Sequence, residues 1–422
     1  MIGRRGLAPL AAAVIALSAS AVAADAATTP AVAASAKHAH AADGRLLPSV
    51  ALPVNFAPEG IAKGEGSTFY AASLATGDVY QGNLRTSKGF VLVAPPGGGQ
   101  GVGLKADVPD HLLFVCGGTT GTAHVYNSRT GALVAQYQFG PNGKSLINDV
   151  VLTAHGAYFT DSYNPDIYEI PIGPFGRLGR AVTIPLSGPV AAFSTAGLNL
   201  NGIAATADGN TLIVDNTVLD KLFTVNPVTG ASAPINVAGL IPNSMDGLLL
   251  QGSTLWVVEN TANTVIRVTL SHDLSNGTIT STITSPLFDD PTTVAKYGDD
   301  LALPNGRYDL GLPPPFGPGA PPGTTFNVVV VPANLTADTA PGRFTVPTGT
   351  CRARLRPRST PARTATAPRS RSGVMVPVPV RVTAASDVTG ISPLNSPVRS
   401  TPRRAMAPYH AMNTRAVTAI VR

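Results

Sequence analysis

From about residue 48 to residue 334 the chain repeats itself, and this repeat limits the fold more than any other feature. Each copy opens on a small or polar residue followed by apolar ones. A Gly or Asp-Gly turn then leads into a strand ending in Asp, Glu or a small residue, and a strand with Val, Ile or Tyr follows. The clearest copy runs Asn201 to Asp215 and then Lys221 to Gly230. Others begin near Glu59, Gly101, Asn148, Asp246 and Pro291, at steps of about 42 to 53 residues. Runs such as Leu112–Cys116, Ala157–Asp161 and Thr254–Val258 are too short for a typical helix, and turn residues recur between them. An irregular sandwich does not account for a sustained period near 45 residues, whereas a four-stranded propeller blade does. Six copies predict an all-β fold, a six-bladed β-propeller with four-stranded blades, over residues 48–347.

The flanks read differently. Arg4 and Arg5, the apolar stretch Leu7 to Val22, and small residues at Ala21, Ala23, Ala24 and Ala26 predict a signal peptide over 1–26 and a secreted, extracellular protein. No later segment is long and apolar enough to span a membrane. Residues 27–47 read as a disordered linker, in which His38 and His40 are weak metal candidates. Residues 348–422 read as an Arg/Pro-rich disordered tail, with a frameshifted translation of GC-rich DNA as the alternative. Residues 351–422 hold 13 Arg and one Asp, so the tail is net +12 while the whole chain is +6. The basic balance therefore belongs to the tail, and the body is not expected to bind nucleic acid. Cys116 and Cys351 lack zinc spacing. Cys116 reads as a buried thiol, with a disulfide to Cys351 as the alternative.

Four of the repeat starts carry an oxygen-bearing side chain: Glu59, Asn148, Asn201 and Asp246. Gly follows three of them, which permits close backbone approach. A lone Asn-Gly or Asp-Gly is usually a turn. Four oxygen residues in register with the repeat instead predict convergence on one point of the propeller axis. Two carboxylates and two amide carbonyls suit a hard cation.

The segments Pro58-Glu59-Gly60-Ile61, Asn148-Asp149-Val150-Val151, Asn201-Gly202-Ile203 and Asp246-Gly247-Leu248, in this order and spacing, resemble the SMP-30/gluconolactonase/LRE-like family, itself distantly similar to the paraoxonases. The resemblance implies a divalent cation, Ca²⁺ with Mg²⁺, Mn²⁺ or Zn²⁺ as alternatives, held by Glu59, Asn201 and Asp246, with Asn148 beside both metal and substrate. It implies hydrolysis of a lactone or small ester with Asp246 as general base. The partner would be a small-molecule substrate and the protein a monomer. Two departures stand out. Leu146 occupies the position where sugar lactonases of the group carry an Arg. Gly117 and Gly118 follow Leu112–Cys116, where paraoxonases place a catalytic His. A non-catalytic propeller with a structural cation is therefore the alternative.

Other residues rank below these. Asp149 and Asp161 are candidate supports of the site, and Asn305 and Arg307 candidate tunnel residues. His111 and His124 read as strand-end or surface groups, Glu259-Asn260 as a strand end and Trp256 as packing. The Gly97–Gly101 run lacks the Lys-Ser/Thr of a phosphate loop and reads as a connection between blades.

Overall fold

The computed structural model describes residues 45–194 and 197–334. The segment expected to be a signal peptide, most of the expected linker, the expected tail and Cys351 lie outside the described residues. Within them the chain is all-β: 25 strands and three single-turn 3₁₀ segments. No described helix is long and apolar enough to cross a membrane.

Hydrogen bonding groups the strands into antiparallel meanders. β1 (Ser49–Ala51) is set apart from its sequence neighbours. β2 (Pro58–Lys63), β3 (Thr68–Ser73), β4 (Val79–Asn83) and β5 (Gly89–Val93) form one sheet in that order, and β6 (Leu104–Asp107), β7 (Leu112–Cys116), β8 (Thr122–Asn127) and β9 (Leu133–Gln138) the next. β10 (Ile147–Leu152), β11 (Gly156–Asp161) and β12 (Asp166–Gly173) follow, and β12 pairs with both β13 (Arg177–Leu178) and β14 (Val182–Pro185). Then come β15 (Leu200–Ala205), β16 (Leu212–Asn216), β17 (Lys221–Val225) and β18 (Ser232–Val237). After them run β19 (Met245–Gln251), β20 (Thr254–Glu259), β21 (Thr264–Leu270) and β22 (Asn276–Thr284). The last sheet joins β23 (Ala295–Tyr297), β24 (Asp300–Pro304) and β25 (Asn327–Pro332) to β1, so the two ends of the body close one sheet.

The expectation of separate four-stranded units needs a correction here. β18 pairs in parallel with β22 through Asn236 and Val237, which merges two meanders into an eight-stranded sheet. An edge strand leaves backbone groups unpaired, and here one edge satisfies the other: Asn236 donates its N–H to Ser275 O at 2.9 Å. Gly277 lets the edges approach, because a Cβ there would lie 2.8 Å from Val237 Cγ2. The linker boundary also shifts. Leu46 and Leu47 pack on the core, and Leu47 N–H donates to Leu84 O.

The second strands of the meanders are near-continuous apolar runs buried on both faces, the outermost strands are largely exposed, and six apolar clusters fill the spaces between successive meanders. One of them packs Val50 and Val328 against Ile61 and Phe69, bringing the last meander onto the first. Phe69, Phe114 and Phe159, each in the second strand of its meander, are fully buried. Each such side chain contributes roughly 2 kcal/mol by burial. Trp256 is buried likewise between β20 and the last sheet, with its indole N–H toward Ala333 O.

The first strands β2, β6, β10, β15 and β19 lie against one another in succession, with Gly103 N–H donating to Asn148 O, and β11 adds Thr160 Oγ1 to Asn201 O of β15. Gly247 N–H donates to Thr292 O, and the Thr292 hydroxyl donates to Glu59 O, which closes the circuit. These first strands start at one end of the molecule and turn back at the other. The hairpins at 64–67, 108–111 and 153–155 therefore lie at the far end, with the turns into β5, β9 and β13.

Candidate metal centre

Glu59, Asn148, Asn201 and Asp246 occupy equivalent places in four first strands, and each sits in a β-bulge. Pairing steps from Pro58 to Ile61 opposite Ser73 and Ala71, so Glu59 and Gly60 face one residue, Ala72. The same two-against-one step occurs at Asn148-Asp149, Asn201-Gly202 and Asp246-Gly247. β6, which has no such oxygen residue, pairs with β7 without a shift. A bulge bends its strand and re-aims one side chain. Here it turns the oxygen residue toward the common axis.

The glycines have a second task. A Cβ on Gly60 would lie 2.4 Å from Val102 O, one on Gly202 2.3 Å from Asp246 O, and one on Gly247 2.1 Å from Thr293 Oγ1. Each is pressed by the next first strand, so the residue after the oxygen donor has no room for a side chain. The exception is Asp149, which is buried and reaches Lys105 Nζ at 3.7 Å.

All four oxygen residues line one cavity of about 90 Å³. Its remaining walls are apolar: Leu74, Val102, Leu146, Leu198, Leu312 and Phe316, with Tyr308. Leu146 is thus at the site, in the place where the resemblance implies a sugar-binding Arg. Asp161 holds it there by accepting its N–H at 3.0 Å, and accepts the Tyr168 hydroxyl as well. Asn148 Nδ2 donates to Ser162 Oγ at 2.9 Å, and that hydroxyl donates to Leu200 O. The Asn148 amide is thereby fixed with its oxygen left for the cavity.

The electrostatics are lopsided. Glu59, Asp149, Asp215 and Asp246 are all buried, and Lys105 is the one cation paired with any of them among the described residues. Burial, then Asp246 and Asp149, push the Glu59 carboxyl well above its usual range. Burial and Asp149 raise Asp246, which a hydrogen bond from Asn201 partly offsets. Asp215 rises through burial and its neighbour Asp246. Glu59 Oε2, Asp149 Oδ2 and Asp215 Oδ1 are buried with no hydrogen-bond partner. An unpaired buried carboxylate is costly, and hard oxygen donors with excess negative charge are what a divalent cation requires. The residues fit such an ion.

Sequence reasoning missed two residues. Asp215 lies on β16 opposite the Asn201-Gly202 bulge, and its signal was the Asp closing the second strand of the clearest repeat. Tyr308 belongs to the Pro/Gly-rich segment between β24 and β25. That segment roofs the cavity with Leu312 and Phe316. Burial, Glu59 and Asp246 raise the Tyr308 phenol, which keeps its proton. Asn305 and Arg307 are not cavity residues. Asn305 Nδ2 donates to Leu287 O and Asn327 Oδ1, and Arg307 pairs with Asp289 at 2.8 Å, so both anchor the roof. Asp289, Asp290 and Asp309 form a separate acidic cluster there. His111 lies in a turn, and His124 stacks on Tyr126 within β8. The Gly97–Gly101 run links β5 to β6.

No family model matches the sequence, and no curated protein matches it. Among solved structures, the chain is similar to the major allergen Mala s 1 of Malassezia sympodialis. The two share 14% identity over 69% of this chain and 98% of that one, with a TM-score of 0.50. Regucalcin, a calcium-binding protein of Agrobacterium tumefaciens, aligns at 16% identity over 69% and 96%, TM-score 0.48. The Swd1 β-propeller domain of Myceliophteria thermophila aligns at 13% over 67% and 98%, TM-score 0.47. At such identities the likeness to Mala s 1 speaks for the fold alone, and the described residues are all-β.

Proposed function

We propose that this is a six-bladed propeller of the SMP-30/gluconolactonase type, exported from the cell, that hydrolyses a small apolar lactone or ester with the help of a divalent cation. One observation carries the reading: four oxygen residues, each delivered by a bulge in equivalent register, meet in one apolar cavity beside buried carboxylates with unpartnered oxygens. Support for six blades comes from the six apolar clusters between meanders, with the β18–β22 contact as a bridge between two blades.

Glu59, Asn148, Asn201 and Asp246 would hold the ion, with calcium the best match to an all-oxygen set. When bound, the cation supplies charge neutralisation and polarisation of a carbonyl oxygen. The chain's own groups do the rest. Asp246 takes a proton from the water that attacks the acyl carbon and returns it to the alkoxide oxygen as the original acyl C–O bond breaks. Asn201 donates to the Asp246 carboxylate and orients it. Tyr308, held protonated, is a hydrogen-bond donor at the cavity wall. The Leu146, Leu198, Leu312 and Phe316 walls exclude bulk water and favour an apolar substrate over a polyhydroxy one.

The size of the cavity favours a second reading. At about 90 Å³ beneath a roof, it suits an ion and little else, as a structural cation in a binding propeller requires.

Thermal unfolding of the full chain with calcium and with chelator tests the site. Calcium should raise the midpoint of the parent but not of Glu59→Ala or Asp246→Ala. An indifferent parent rejects the metal centre. Hydrolysis of a lactone panel, lost in Asp246→Asn, separates enzyme from scaffold: a calcium response without turnover leaves the scaffold.

A further inference from the structure

The end of the molecule remote from the cavity has a surface that the metal centre does not explain. It is built from the turns into the outermost strands of three consecutive meanders. The turn into β5 carries Arg85 and Lys88 and is followed by Phe90 and Val91. The turn into β9 carries Arg129 and is followed by Leu133 and Val134. The segment from β12 to β14 carries Phe175, Arg177, Arg180 and Val182. All of these side chains are exposed, Phe90 by 54%, Leu133 by 55% and Phe175 by 94%. None of the five cations forms an ion pair among the described residues.

The three turns make one continuous strip. Gly131 is pressed against Leu92 O, which joins the first turn to the second. Tyr137 Oη donates to Gly179 O at 3.0 Å, and Gly176 abuts Asp110 and Leu112, which joins the second to the third. Beyond the first turn, Arg85 shares a cavity of about 230 Å³ with Arg45, Lys63 and Asp300, which extends the positive strip. Acidic residues also stand at this end: Glu65, Asp107, Asp110, Asp208 and Asp299 on the inner hairpins, with Asp107 and Asp110 sharing a cavity with Lys63 and Phe175, and Asp273 in the turn into β22. The corresponding turns of the next two meanders serve as an internal comparison. Val228 is exposed in one, but 226–230 carries no cation, and the β22 face shows Thr and Ser. Phe175 has φ 60, a backbone region costly for a bulky residue, and its ring gains no burial there.

Exposed aliphatic and aromatic side chains interleaved with unpaired cations match the interface of an anionic bilayer. The apolar groups enter the headgroup boundary and the cations meet lipid phosphates and carboxylates. We infer that this strip docks the protein on an anionic lipid surface, with the metal centre facing away from it.

The chain has one Trp, and Trp256 is buried, so a Trp introduced at Phe175→Trp reports this face alone. With vesicles of phosphatidylcholine containing about 30 mol% phosphatidylserine, its emission should shift to the blue, and added salt should reverse the shift. In sedimentation with the same vesicles, Arg85→Glu/Arg129→Glu/Arg177→Glu should lower the partition coefficient by about 100-fold, at roughly fivefold per lost cation. Phe175→Ser and Leu133→Ser should lower it further, while Lys221→Glu, at the other end, should not. No blue shift at position 175 overturns the proposal, including the case where the basic tail alone sediments the protein. So does binding that charge reversal abolishes but Phe175→Ser and Leu133→Ser leave intact, which would mark the strip as a site for an anionic polymer.

Discussion

Gly202→Ala tests whether the glycine after each oxygen residue is there for the closeness of the first strands. A Cβ at 202 would lie 2.3 Å from Asp246 O and 2.8 Å from Leu248 N, against ordinary contact at 3.4 Å and beyond. Both atoms are backbone, so no rotamer relieves the clash, and β15 and β19 must part by about 1 Å, at an overpacking cost of about 1–3 kcal/mol. For a body of roughly 290 residues, the unfolding entropy is about 0.6 kcal/mol per kelvin, so the midpoint should fall by about 2–5 °C. The same displacement separates Asn201 from Asp246. A cation at one hundred times its dissociation constant stabilises the parent by about 2.7 kcal/mol, or about 4–5 °C here, and most of that increment should vanish in the variant. The assay is thermal unfolding with calcium and with chelator, with Gly99→Ala as control, since nothing lies within 4 Å of a Cβ there. If Gly202→Ala keeps both the parent midpoint and the full calcium increment, the strands yield freely, and close approach is not why glycine stands there.

Three further outcomes follow from the same geometry. Leu146→Arg puts a guanidinium into the cavity beside Glu59 and Asp246. Titration calorimetry should then show calcium affinity reduced at least about tenfold; unchanged affinity would mean the side chain does not reach the site. Burial raises the Glu259 carboxyl from 4.5 to about 7. The folded state therefore holds this proton more tightly than the unfolded state, and the resulting stability is present below about 4.5 and lost as pH rises through 7. Glu259→Gln should thus gain about 1–2 kcal/mol on the parent between pH 5 and pH 8, after solvent screening is allowed for; a gap that does not change with pH refutes this. Cys116 is fully buried and its thiol is pushed up by burial, so iodoacetamide at pH 8 should label it only on unfolding, as peptide mapping would show.

The strands and the four oxygen residues were legible because each is local and repeated. Leu112–Cys116 reads as a strand by itself, and Asn201-Gly202 gains meaning from Glu59-Gly60 and Asp246-Gly247 at the same phase. The reason for the glycines was only half legible: sequence showed freedom of approach, whereas the structure names what approaches, a carbonyl at Gly60 and Gly202 and the Thr293 hydroxyl at Gly247. Asp215 was hidden because its role depends on lying opposite a bulge, and pairing register is not written in one strand. Tyr308 and the roof were hidden for a different reason. A run such as Leu312 to Pro322 has the composition of a connection. Its course over the cavity is set by distant groups: Arg307 to Asp289, Gly323 N–H to Asn55 Oδ1 and Gln100 Nε2 toward Pro314 O. Leu146 shows the two levels meeting. Sequence marked it as the place where an expected Arg was missing, and the structure supplies the consequence, an apolar wall beside Asp246 where a polyhydroxy substrate would find no guanidinium to bind.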